Sequence, residues 1–122
     1  MSEAPATPEG LFARHPAGLA VWERVAQLAA ALPGTEVRTS RSQVALRRRR
    51  AFAFVWRPGQ YVRSDVPAVL SIALDRELDS ARFKEVAHPG PRIWMHHLEV
   101  RDPAEVDDEV AGWLREAWAR AG

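Results

Sequence analysis

Residues 51–75 read AFAFVWRPGQYVRSDVPAVLSIALD, and this stretch decides the fold. Ala51 to Trp56 alternates Phe52, Phe54 and Trp56 with Ala51, Ala53 and Val55, the period of two that belongs to a β-strand. Arg57-Pro58-Gly59-Gln60 then puts Pro and Gly at the central positions of a type II turn. Ala68 to Asp75 alternates again, with Leu70, Ile72 and Leu74 against Val69, Ser71 and Ala73. Two alternating strands around a turn form an antiparallel pair.

Working outward, Gln43 to Arg47 is a further strand, joined to the aromatic one through Arg48 and Arg49, and Glu36 to Thr39 is a short candidate before it. Arg92 to Val100 alternates Trp94, His96, Leu98 and Val100 against Ile93, Met95, His97 and Glu99. Upstream, Leu19, Trp22, Val25, Ala26, Ala29 and Leu32 recur at helical spacing, between His15-Pro16 and Pro33-Gly34. This predicts a helix over about 17–32. Downstream, Asp102-Pro103-Ala104-Glu105 is close to a capping box, and Val106, Val110, Trp113, Leu114, Ala117 and Ala121 form an apolar stripe to the C-terminus. The order helix, strands, helix has no βαβ alternation. The expectation is an α+β fold: an antiparallel meander of about five strands with an N-terminal and a C-terminal helix packed on one face. Several strands are apolar on both faces, so the second face needs a cover, from a partner or from the stretch Arg76 to Pro91, whose structure the pattern leaves open.

A chain of 122 residues, 47% apolar and 27% charged, suits one globular domain. Residues 1–10 read as a disordered tail and 11–122 as the domain. The absence of cysteine excludes disulfides, thiolate metal sites and cysteine nucleophiles. With no apolar run of membrane-spanning length and no signal peptide at the N-terminus, a cytoplasmic protein with no membrane contact is expected. The net charge of +1 is unevenly spread: eight arginines face one acid between Glu36 and Arg63, and seven acids face two arginines between Glu99 and Glu116. Such asymmetry can attract an anion, or be satisfied within the chain or between copies.

Several words of the sequence carry a resemblance. Arg92-Ile93-Trp94-Met95-His96-His97-Leu98 is similar to an aromatic-x-His strand. Ala104 to Val110, with Trp113-Leu114 and Ala117-Trp118, is similar to an Asp-rich closing helix. Arg41 to Leu46 followed by Phe52 is similar to a Lys-Thr-x-Ile-Ala-Phe strand and its aromatic, with Arg41 in place of Lys and Ser42 in place of Thr. Together these resemble an uncharacterised bacterial domain-of-unknown-function family over about Phe12 to Ala121, and more distantly small YdhG-like α+β domains. The resemblance implies the fold and no activity.

Three functional readings compete. Arg47, Arg48, Arg49 and Arg50 beside Phe52 and Phe54 offer phosphate contacts plus base stacking, and approximate an RNA-recognition strand. Ala51 stands where that pattern has Gly, however, and arginines at a hairpin tip are commonly solvated. A small enzyme would use His96 with a carboxylate, but no nucleophile elbow, phosphate loop or dinucleotide fingerprint is present. His96 and His97 point to opposite faces of a strand and cannot share a metal ion, so no metal and no cofactor is expected. Trp118 and Trp56 stand apart from the core-directed tryptophans and suit a pocket or an oligomer contact. The expected function is therefore a non-catalytic binding or interaction domain. It self-associates as a homodimer or binds an anionic small ligand on the open sheet face, with Arg41 holding the anion beside Trp56 and His96. Nucleic-acid binding and the small enzyme are the alternatives.

Overall fold

The computed structural model describes residues 6–122. Over the described residues the fold is α+β, with six antiparallel strands and helices packed against one face of the sheet. Of the expected tail, residues 1–5 lie outside the described residues. Pro8–Leu11 forms a single helical turn, α1, capped by Thr7, whose Oγ1 accepts from the Gly10 N–H at 3.0 Å. Phe12, only 1% exposed, then ties this segment into the core.

Helix α2 spans Pro16–Ala29 and buries Val21, Trp22, Val25 and Ala29. Strands β1 (Glu36–Thr39), β2 (Gln43–Arg47), β3 (Ala51–Trp56) and β4 (Ala68–Leu74) follow as a meander. The Pro-Gly turn after β3 takes a different form from the one expected. Residues 58–60 make a 3-10 turn in which the Tyr61 and Val62 N–H groups both donate to the Pro58 carbonyl. Gly59 has no positive φ, which a type II turn would demand of it.

The meander ends at β4. The sheet order is β1-β2-β3-β4-β6-β5, so β6 (Ile93–Val100) lies between β4 and the edge strand β5 (Glu85–Gly90). This sixth strand occupies the stretch that the sequence pattern leaves open. It escapes detection because Pro89 and an irregular register between Ala87 and Gly90 interrupt the alternation. Both features also discourage further pairing at an edge. The connection from β4 to β5 crosses the helix side of the sheet: Leu78 bonds to His96, and Phe83 packs on the rings of His96 and Trp113. The stretch from Arg76 is therefore no cover for the opposite face.

At the C-terminal end, the capping box forms, but around a separate 3-10 turn at Pro103–Glu105. Helix α3 (Asp108–Arg120) starts afresh with Asp107 as its N-cap, accepting from the Val110 N–H at 3.1 Å. Its stripe of Val110, Trp113, Leu114 and Ala117 meets Ala68, Leu70, Ile72 and Leu74 of β4 in the common core. The other side of β4 presents Val69, Ser71 and Ala73 to the open face.

Candidate functional site

The groove on the open face follows from side-chain size. Along β4 the outward residues Val69, Ser71 and Ala73 are small. The strands on either side place Phe54 and Trp56 of β3, and Met95 and His97 of β6, on the same face. Small residues between rows of large ones make a trough, which also explains why β4 is buried throughout without a layer above it. Two adjoining depressions of about 380 Å³ and 250 Å³ share Trp56, Tyr61 and His97. Tyr61, 64% exposed, overhangs them with its ring edge-on to Trp56 at 6.0 Å.

A short hydrogen-bond relay lies at the floor. The Trp56 indole Nε1–H donates to Ser71 Oγ at 2.9 Å, and Ser71 Oγ lies 2.7 Å from His97 Nδ1. Because indole can only donate, the Ser71 hydroxyl is free to give its own proton to His97. The imidazole then carries its proton on Nε2, which has no protein partner among the described residues. Burial lowers the pKa of His97, opposed by the nearby Glu85 carboxylate. The neutral ring thus presents one N–H donor to an otherwise largely aromatic and apolar groove.

Although Ser71 and His97 resemble a nucleophile and its base, Ser71 lies in the centre of a strand paired on both sides. Backbone N–H groups there belong to the ladders, leaving no pair of donors to stabilise an oxyanion. The relay is suited to fixing a tautomer for binding. Among the described residues, no group of three metal-ligating side chains converges.

The structure separates residues expected to act together. Trp56 lines the groove, but His96 faces the helices, is fully buried, and has both ring nitrogens engaged. Its Nε2 accepts from the Leu78 N–H at 2.9 Å, so the ring proton is on Nδ1, 3.2 Å from the Ile72 carbonyl. His96 is a structural residue here, and His97 stands beside Trp56 in its place. Arg41 sits in the turn between β1 and β2, next to the groove residue Gln43 but outside the lining.

The arginine run also has internal work. Arg48 lies over the Trp118 ring, 3.9 Å from its centroid, and donates to the Trp118 carbonyl at 3.2 Å. Arg50 donates to the Arg120 carbonyl, and the Arg49 and Arg50 N–H groups both donate to the Ala121 carbonyl. These donors satisfy the carbonyls at the negative end of α3. Arg47 ends β2, opposite Glu36. Phe52 falls where the β2–β3 register shifts and turns into the helix-side core, fully buried, while Phe54 remains on the open face. The Trp118 indole donates to the Pro33 carbonyl at 2.8 Å. The acid-rich start of α3 meets Arg82, whose guanidinium bonds to Asp107 and Glu109.

Sequence reasoning missed Ser71, His97 and Tyr61. The available signal was Ser71 itself, a lone hydroxyl in an apolar central strand that requires a polar partner.

Residues 12–121 match the model of a family described as a domain of unknown function, DUF5655. No curated protein and no solved structure matches the chain.

Proposed function

The chain belongs to the DUF5655 family, and we propose that it is a non-catalytic cytoplasmic domain that binds an anionic small ligand on the open sheet face. The relay from Trp56 through Ser71 to His97 carries this reading, because it leaves one oriented N–H donor in an aromatic trough. A ligand suited to it has a flat apolar body that packs on Phe54, Trp56 and Tyr61, and a carboxylate oxygen that accepts from His97 Nε2. Arg41, in the adjacent turn, adds positive charge at the β1–β2 end of this face.

Benzoate is a direct probe. Titrated into the labelled protein, it should move the Trp56 indole and His97 signals saturably and leave those of His96 in place. His97→Gln and Ser71→Ala should weaken the response. Equal responses in parent and variants, or none in any of them, would reject the reading. Self-association through the same face is a second reading, favoured by exposed Tyr61 and Val62 at the groove's rim. A concentration-independent monomer in sedimentation velocity would reject that one.

A further inference from the structure

A second cavity, of about 360 Å³, lies away from the open-face groove, between the start of α2 and the connection from β3 to β4. Arg14, His15, Arg57 and Ser64 line it. Neither Arg14 nor Arg57 has a hydrogen-bond or carboxylate partner among the described residues. Other arginines, among them Arg24, Arg48, Arg50, Arg76, Arg82 and Arg101, are engaged, while several elsewhere on the surface have no such partner among the described residues either. The acid on the cavity wall, Asp65, is paired with Arg101 at 3.2 Å.

Both guanidiniums act on the imidazole of His15. The pKa of His15 is lowered by burial, and further by the positive charges of Arg57 and Arg14. A Cβ on Gly59 would stand 2.8 Å from Arg57 Nη1, so the guanidinium lies over the bare glycine backbone. On the opposite wall, His15 offers no side-chain cap to α2, which leaves the first-turn N–H groups of Ala17 and Gly18 without one. Ser64 Oγ accepts from the Val66 N–H at 3.1 Å, and its hydroxyl proton remains available. Two guanidiniums lining one cavity favour an anion within it.

We propose that this cavity binds the phosphate group of a small soluble phosphate monoester, held between Arg14 and Arg57 with the Ser64 hydroxyl as a further donor. Bidentate guanidinium recognition suits a tetrahedral oxyanion. Neutral His15 can accept a hydrogen bond from a protonated phosphate oxygen or donate one to an ionised oxygen. The cavity extends beyond a single phosphate and leaves room for the esterified group.

Glucose 6-phosphate, inorganic phosphate and glucose, titrated at ionic strength matched with sodium chloride and followed by amide shifts, test this site. The two phosphates should give saturable shifts at Ala17, Gly18, His15 and Arg57, and glucose should give none. Arg57→Ala and Arg14→Ala should each weaken binding about tenfold or more, the loss of a charge-assisted hydrogen bond. Their amide spectra, otherwise unchanged, will establish that they fold, and Arg57→Lys should retain part of the affinity if a poor spectrum spoils the alanine variant. Ser71→Ala, in the open-face groove, should bind glucose 6-phosphate as the parent does. Non-saturating shifts, shifts centred on residues 47–50, or equal affinity in the parent and both arginine variants would overturn the proposal. So would binding to phosphatidic-acid vesicles without binding to glucose 6-phosphate.

Discussion

His96 and His97 are neighbours in β6, yet they stand on opposite sides of the sheet in different chemical surroundings. The first bridges the Ile72 carbonyl and the Leu78 N–H inside the core, while the second accepts from Ser71 in the groove. Replacing His96 with alanine would orphan the Leu78 N–H, remove one partner of the Ile72 carbonyl and open a cavity. A loss of about 2–4 kcal/mol is expected. His97→Ala should cost about 1 kcal/mol, because its groove side is open. Urea unfolding of the two variants measures the contrast.

The His97 relay also carries a pH dependence. Burial lowers its folded-state pKa from the ordinary value of 6.5, so the folded protein takes up this proton less readily than the unfolded chain. Its contribution to stability is therefore complete above the unfolded imidazole's pKa, and is lost as pH falls through the lower folded value. An NMR titration should find a pKa for His97 below 6.5, with the Trp56 indole signal following the same curve. In His97→Gln, that segment of the stability–pH profile should flatten.

The arginine turn is expected to stabilise the end of α3 more than it binds polyanions. Arg48→Ala removes a bond to the Trp118 carbonyl and the guanidinium over its ring. It should cost about 1 kcal/mol and fray the last turn of the helix, as read by amide exchange at residues 118–121. Steeply salt-dependent DNA or RNA binding that disappears in this variant would contradict the expectation.

Gly18 is required by close packing between α2 and its surroundings. A Cβ there would lie 2.7 Å from the Phe12 ring and 2.9 Å from the Pro67 carbonyl oxygen. Helix propensity favours Gly18→Ala, but the clash opposes it. The net change should be a loss of about 1–3 kcal/mol, measured by thermal unfolding.

Arg82 joins the β4–β5 connection to α3. It bonds Asp107, Glu109 and the Glu105 carbonyl. The Asp107 carboxyl is held below its usual range by the Val110 N–H first, and by Arg82. Because that folded-state pKa is depressed, the stabilisation is present above the unfolded carboxyl's value and fades as pH falls through the folded one. Arg82→Ala should loosen residues 76–84 in amide exchange at neutral pH and make acid unfolding less steep.

Much of the architecture was legible because apolar periodicity reports local geometry. The alternation at Ala68–Leu74 and Ile93–Val100 identified both strands, and the stripe from Val106 identified the closing helix. Strand β5 was illegible because Pro89 and its irregular register break the pattern on an edge, where little burial enforces one. Phe52 followed the alternation in sequence, but the bulge beside it turned its ring to the other side.

The candidate site was only half legible. By itself, the sequence determined the main helices, every strand but β5, and the placement of His96 and His97 on opposite sides of a strand, since a period of two follows from covalent geometry. Only the tertiary structure decided which histidine enters the core, that β6 inserts beside β4, and that Ser71 meets both Trp56 and His97. The physical reason is that an apolar pattern on both faces leaves their roles interchangeable. Packing the helices on one face breaks that symmetry, through contacts between residues far apart in the chain.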